Sequence, residues 1–270
     1  MAVAHGVEAP GYHVGVQMLL LTSLPNLRTN ARLVEAAESL GHHLAVVDTN
    51  SMSALACGDG LRALGDATSE PRPDVVIARV GNWRPDSTLA VLEAMVADGA
   101  ATPNPSPAIR LGRDHWSTIG VLATCGLPVP DTLAGADPEA LAAAAIDCLG
   151  LPVVVKQRRS RMGVGVIRCT TSDHLEAVLD SLWRLGDEVV VQRWLPEGGT
   201  TVRLLVVNGS VVAAARFVAA AGDWRSNAAR GGNAEPHLPS EDERQAGAAA
   251  AEAVGLGCCG VDVVSGAAGP

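Results

Sequence analysis

Lysine is nearly missing from this chain of 270 residues: 19 of its 20 basic side chains are arginine, and Lys156 is the only lysine. An excess of positive charge is also missing. The formal net charge is −9, which argues against nucleic acid or an anionic membrane as the main partner, since both reward a basic surface. No apolar run approaches the roughly 18 residues of a membrane span. Met1 to Pro10 lacks a basic leader region, so no signal peptide is expected. The six cysteines (57, 125, 148, 169, 258 and 259) show neither a CxxC pair nor zinc-ligand spacing. They read as reduced, mostly buried thiols of a cytoplasmic protein. Glycine and proline, 29 and 16, are too few for a low-complexity chain, and 48% hydrophobic residues are too many for wholesale disorder. Internal repeats and a nucleophile elbow are absent as well.

What is present is an alternation of strand and helix patterns. Val14–Leu21 is a continuous apolar run that predicts a buried strand, and the apolar spacing of Asn26–Leu40 predicts a helix stopped by Gly41. Leu44–Asp48 and Asp74–Arg79 predict further strands and Ser87–Asp98 a helix, with residues 49–73 between them an irregular connection. Strands alternating with helices imply a parallel sheet. The prolines of 102–107 predict a domain boundary. Beyond it, helices are expected at Arg113–Cys125, from the Asp137-Pro138-Glu139 cap to Leu149, at Ser172–Leu185, and from the Ser240/Glu243 capping box to Val254. Strands are expected at Pro152–Lys156, Val166–Cys169, Val189–Trp194 and Gly260–Val264, and Asn208-Gly209 predicts a hairpin between Val202–Val207 and Val211–Val218.

Lys156 ends an apolar strand and precedes a basic loop, Gln157 to Gly165. A P-loop needs glycine directly before the lysine, where this chain has Val155. The fingerprint GxGxxG is absent too, since Gly163 and Gly165 lead into a strand. What remains is a hairpin whose loop is either a solvated basic tip or a fold over phosphates, with Arg158, Arg159 and Arg161 as anion contacts. His42 and His43 point to opposite faces and are poor co-ligands.

The order that follows is more specific: Gln192-Arg193-Trp194-Leu195, then Thr201-Val202-Arg203-Leu204, then the stretch Gly222 to Gly232 (GDWRSNAARGG), then Gly260-Val261-Asp262. This series resembles the ATP-grasp superfamily, and within it the RimK-like carboxylate–amine ligases of alpha-L-glutamate ligase type. The resemblance implies an α/β and α+β fold: an N-terminal parallel-sheet α/β domain (14–105) followed by an ATP-grasp module of two α+β subdomains (106–195 and 196–270). It implies amide formation between a small-molecule or peptide carboxylate and an amino acid or other amine, through an acyl phosphate, in a cytoplasmic enzyme that uses ATP and Mg2+ (or Mn2+). A homo-oligomer is compatible with it; nucleic acid and membrane are not expected partners.

By position, the resemblance implies that Lys156 contacts phosphate, with Gly163 and Gly165 in the covering loop. It implies that Gln192, Arg193, Trp194 and Leu195 form the hinge reading adenine, and that Arg225 and Asn227 lie near the reacting groups. Arg203 and Arg230 become supporting cations and Asp262 a magnesium ligand, a hard oxygen donor suited to that ion. Each keeps a plainer alternative: Arg203 a strand-surface charge, Asp262 a turn cap, Trp194 core. The chain departs from the family at His115, where a second lysine is usual. It departs also at Arg193, where an acid usually follows the glutamine, and at Thr201, where an acid is expected near the ribose. The family's next strand supplies a glutamate and an asparagine for magnesium, and the sequence stops at Pro270 before it. That leaves Gly260–Val264 as an expected unpaired strand, and favours a shortened ligase over a noncatalytic nucleotide-binding protein. A Schiff-base enzyme built on the sole lysine is the remaining alternative.

Overall fold

A computed structural model describes residues 15–65, 72–81, 84–159, 165–226 and 232–264. The chain divides into two compact units, Met1–Pro103 and Asn104–Pro270.

In the first unit, β1 (Gln17–Thr22), α1 (Arg28–Ser39), β2 (His43–Asp48), β3 (Ser53–Cys57), β4 (Gly60–Leu64), β5 (Val75–Arg79) and α2 (Pro85–Ala97) follow one another. Strands β1, β2 and β5 form a parallel sheet in the order β2-β1-β5. β1 is central, which is why Leu19, Leu20 and Leu21 run without polar interruption: both faces of a covered parallel strand are buried. The connection expected to be irregular contains a hairpin, β3–β4, paired from Ser53–Leu64 to Cys57–Gly60. Nearly all of its residues are exposed, so no alternation marks it in the sequence.

The second unit contains α3 (Ser106–Gly112), α4 (His115–Thr124), β6 (Thr132–Leu133), α5 (Pro138–Cys148), β7 (Val153–Gln157), β8 (Val166–Cys169), α6 (Ser172–Arg184), β9 (Val189–Arg193), β10 (Thr200–Val207), β11 (Ser210–Val218), β12 (Asn233–Pro236), α7 (Glu241–Val254) and β13 (Cys258–Val263). The proline cluster that suggested only a boundary opens α3, with Pro107 in its first turn, where a missing N–H costs nothing.

Two antiparallel sheets result, β6-β9-β7-β8 and β12-β11-β10-β13. In the first, Val153, Val155 and Val191 turn to one face and pack with Leu141 and Ala145 of α5 and Leu175 and Leu179 of α6. In the second, Val202, Leu204 and Val206 pack with Ala251 of α7. A strand alternates sides, so the intervening residues of both sheets, Lys156 and Gln192 in one and Thr201 and Arg203 in the other, lie on faces turned away from the helices. Residues Asn208 and Gly209 both take positive φ, 47° and 73°, as a two-residue turn between twisted strands requires. The full capping box at Ser240 and Glu243 starts α7.

Two expectations are corrected. Strand β13 is not unpaired: it runs antiparallel to β10 from Val202–Val263 to Val207–Cys258. The cysteines are not mostly buried either: Cys169 is, Cys259 is half-buried, and Cys57, Cys125, Cys148 and Cys258 are exposed. Among the described residues no helix is long and apolar enough to cross a membrane.

Candidate active site

Lys156 is half-buried, one residue from the end of β7. Its Nζ donates to the side-chain oxygen of Gln192 at 2.6 Å. The register explains the meeting. Gln192 pairs with Val154, so Lys156, two residues on, occupies the diagonal position on the same face. Gln192 in turn donates its amide N–H to Thr132 Oγ1 at 2.9 Å. Burial holds the Lys156 ammonium below the ordinary lysine range, opposed by the charge of Asp262. Asp262 stands on β13 of the second sheet, and its charge is felt at Lys156 on β7 of the first.

His115 opens α4 beside them. Burial lowers its pKa and the Lys156 charge lowers it further, with Asp114 opposing, so the ring is held neutral at pH 7. The adjacent Asp114 is the N-cap, its carboxylate accepting the Ser117 N–H at 2.9 Å. The same buried carboxylate holds Arg158 at 2.8 Å, with Arg159 at 3.6 Å. Arg158 is therefore committed to Asp114, and not available as the anion contact that its place in the basic loop suggested. Gly165 needs its missing Cβ: φ is +68°, and an added carbon would stand 2.5 Å from the Gln157 side-chain oxygen. Gly163, with Arg161, lies outside the described residues.

Around the expected hinge the structure separates side chain from backbone. The Arg193 guanidinium points away from Lys156 and Gln192. It donates to the carbonyls of Leu149 and Cys148 at 2.8 and 3.1 Å and meets Asp131 at 2.9 Å. A cation at the end of α5 satisfies helix carbonyls left without partners and sits at the negative end of the helix dipole. The acid-to-arginine departure thus has a structural role here. Trp194 is half-buried, edge-on to Trp224 with ring centres 5.0 Å apart and with Arg168 stacked 5.1 Å from its ring. Leu195 follows it, half-buried.

On the second sheet, Arg203 and Asp262 face each other in register and form a two-pronged ion pair, both contacts 2.6 Å. The pairing raises the Arg203 pKa. Arg203 is not a bare surface charge, and Asp262 caps no turn. Thr201 shares a 2.7 Å hydrogen bond with Ser226. The neighbouring Arg225 is held by Asp223 at 3.1 Å and donates to the Val166 carbonyl of β8 at 3.3 Å, tying this segment to the first sheet. Asn227 and Arg230 lie outside the described residues.

The donor set suits an anionic nucleotide: a half-buried ammonium on a neutral amide, flanking arginines, and two tryptophans beside them. For a divalent cation it offers one carboxylate, Asp262, with its paired Arg203. Among the described residues no three His, Cys, Asp or Glu side chains come together. A magnesium ion held here would take Asp262 and complete its shell from phosphate oxygens and water, an arrangement that ion commonly accepts. Sequence reasoning missed Thr132 and Asp114. The first lies in a two-residue strand too short for any periodicity, and the second is visible only as a helix cap.

Comparison with known proteins adds the following. The profile of the RimK-like ATP-grasp domain matches residues 112–270, and that of the RimK PreATP-grasp domain matches residues 16–109. A protein of Pseudoalteromonas atlantica named probable alpha-L-glutamate ligase 2 is 34% identical over 258 residues, covering 94% of this chain and 85% of its own length. Among solved structures, the ATP-grasp ligase PsnB, complexed with a phosphomimetic variant of a minimal precursor, Mg and ADP, is 26% identical. Its TM-score is 0.67, over 94% of this chain and 87% of that one. A RimK-domain ATP-grasp protein from Sphaerobacter thermophilus shares the fold at 23% identity and TM-score 0.71, over 94% and 88% of the two chains.

Proposed function

This chain belongs to the RimK-like ATP-grasp ligases, and from that premise we propose that it joins a carboxylate to the amine of an amino acid, glutamate first among the candidates, at the expense of ATP. The relative's name supports glutamate as a substrate. The observation that supports the site assignment is the Lys156–Gln192 hydrogen bond on the open face of the first sheet, with Arg225 bonded to the Val166 carbonyl of that same sheet. In this reading a carboxylate oxygen of the acceptor bonds to the γ-phosphorus as its bond to the bridging oxygen breaks and ADP leaves. The amine nitrogen then bonds to the acyl carbon, phosphate departs, and the amine's proton passes to solvent.

Both steps develop negative charge on phosphoryl oxygens, so the need is for fixed cations more than for acid–base groups. Lys156 supplies one such cation, oriented by Gln192. His115, neutral, supplies a hydrogen bond where the family usually has a second lysine. Arg203 and Arg225 are further cations that a phosphate would have to draw from Asp262 and Asp223, and the backbone from Gln192 to Leu195 serves as the adenine edge, with Trp194 beside it. Gly165 lets the covering loop turn. Thr201 offers a hydroxyl toward the ribose, and Asp262 would hold Mg2+ (or Mn2+, which accepts the same oxygen donors), which would supply positive charge to the phosphates. Asn227 and Gly163 keep the roles their positions imply. We place the subdomain boundary at 195/196 and the enzyme in the cytoplasm.

The noncatalytic alternative is not favoured, because the curated relatives are named ligases, and family membership displaces the Schiff-base reading. The test is ADP release by the purified chain with ATP, Mg2+, glutamate and a panel of carboxylates including peptide C-termini, with mass detection of the amide. Lys156→Met is expected to lower ATP affinity at least about tenfold with circular dichroism unchanged. Equal affinity in that variant refutes the assignment of Lys156.

A further inference from the structure

The sheet that carries Lys156 begins at Thr132, a residue outside every role assigned so far. Thr132 stands directly opposite Gln192 across β6 and β9. Its hydroxyl donates to the Pro130 carbonyl at 2.7 Å. With the proton committed there, Oγ1 can only accept, and it accepts the Gln192 amide N–H at 2.9 Å. That contact decides which end of the amide faces the lysine: the NH2 group is held by Thr132, so the carbonyl oxygen is left to take Lys156 Nζ at 2.6 Å. An amide turned the other way sets its NH2 group against the ammonium, and two sets of donors cannot bond each other, so the Thr132 and Lys156 contacts select the same orientation and Thr132 holds it.

We infer that Thr132 is a positioning residue for the nucleotide-contacting lysine, acting through Gln192: by fixing the direction of the glutamine amide it holds Nζ on the open face of the sheet. The inference rests on the proposed reading of Lys156 as a phosphate contact. The chain Pro130–Thr132–Gln192–Lys156 spans three strands, so its hydrogen bonds polarise one another in the same sense. It ends in a neutral group, which orients the ammonium without cancelling its charge. The other ionisable groups acting on Lys156 are His115 of α4 and Asp262 of β13; among the described residues it is Gln192 that gives the ammonium its direction by a hydrogen bond.

Because the chain has one lysine, acylation of that single side chain reports its setting. Intact protein is treated with an acetylating ester at fixed pH, and the Lys156 peptide is quantified by mass spectrometry apart from the N-terminal peptide, with and without ATP. Thr132→Val keeps the β-branched shape and removes the hydroxyl; Thr132→Ser keeps the hydroxyl. In Thr132→Val the ammonium either loses its proton or swings outward, and both make it more reactive. Labelling is expected to rise about tenfold and ATP affinity to fall about tenfold, as for loss of a hydrogen bond to a charged group, with Thr132→Ser within about twofold of the parent. Should Thr132→Val not fold, Gln192→Met removes the amide that links Thr132 to Lys156 and is expected to give the same rise. Parental labelling and affinity in folded Thr132→Val, or parental labelling in folded Gln192→Met, overturns the inference. Absence of ATP protection in the unaltered chain instead refutes the nucleotide reading of Lys156, and the labelling contrast among variants still decides the role of Thr132.

Discussion

Asp114 is where the fold and the site can be separated by two substitutions. Its carboxylate does two things at once: it caps α4 through the Ser117 N–H and it holds the Arg158 guanidinium. The group is only 6% exposed, so its partners are not replaced by water without cost. Loss of an N-cap costs about 1 kcal/mol, and loss of a charge-assisted hydrogen bond of this kind about 2 kcal/mol. Asp114→Ala removes both and is expected to destabilise by about 3 kcal/mol. Asparagine caps as well as aspartate, so Asp114→Asn loses only the charged pairing and costs about 2 kcal/mol. The second contact of Arg158, to the exposed Glu188 at 3.4 Å, adds little in compensation. Four of the five tryptophans fall within 104–270, so urea unfolding followed by tryptophan fluorescence reports chiefly on the unit concerned. The pH dependence has a definite sign. Burial is the largest single influence and raises the Asp114 carboxyl, but the contacts with Arg158 and Ser117 together outweigh it and hold the group below its ordinary range. A folded pKa below the unfolded one gives stability that is present above the unfolded value and is lost as pH falls through the folded value. The gap between parent and Asp114→Asn is therefore expected to be full at pH 7 and to close only as pH falls below the ordinary aspartate range. An Asp114→Asn variant within about 0.5 kcal/mol of the parent at pH 7, or a gap that stays constant on acidification, refutes the reasoning.

Arg193→Ala is expected to lower stability by about 1 kcal/mol through loss of its contacts at the end of α5, while ATP affinity measured by calorimetry stays within about twofold of the parent. A large loss of affinity with unchanged stability would return the side chain to the nucleotide. Chelation of divalent ions is expected to abolish ADP release, and Asp262→Asn to lower it and shift its Mg2+ dependence to higher concentration. Turnover that persists in chelator removes Asp262 from metal binding.

Where local physics decides the outcome, the sequence was informative. The unbroken apolar run around Leu20 announced a central parallel strand, Asn208-Gly209 a twisted two-residue turn, and Ser240 with Glu243 a cap. The β3–β4 hairpin escaped because its exposed residues carry no periodicity, and α3 because prolines that begin a helix look like prolines that end one. Long-range pairing was the larger gap. Arg158 reads as part of a basic loop until Asp114, far upstream, is seen to hold it. Arg193 reads as a hinge residue until the carbonyls of Cys148 and Leu149 are found beneath it. The family resemblance located the site residues by position, but a position does not say what a guanidinium is bonded to.

The near absence of lysine takes on a physical meaning in that setting. Arg158, Arg193, Arg203 and Arg225 each hold a carboxylate in the folded chain, through the planar, many-donor geometry that makes arginine the better structural tie. An arriving phosphate must compete with those carboxylates, and at Arg203 with two short contacts at once. Lys156 rests on an amide, which orients it but leaves its full charge, and burial raises the cost of that charge until an anion arrives. A polyphosphate gains most from a cation that is desolvated, fixed in direction and not yet neutralised. In the proposed reading those three conditions meet at Lys156, so a phosphate would be drawn there before it competes with Asp262 for Arg203.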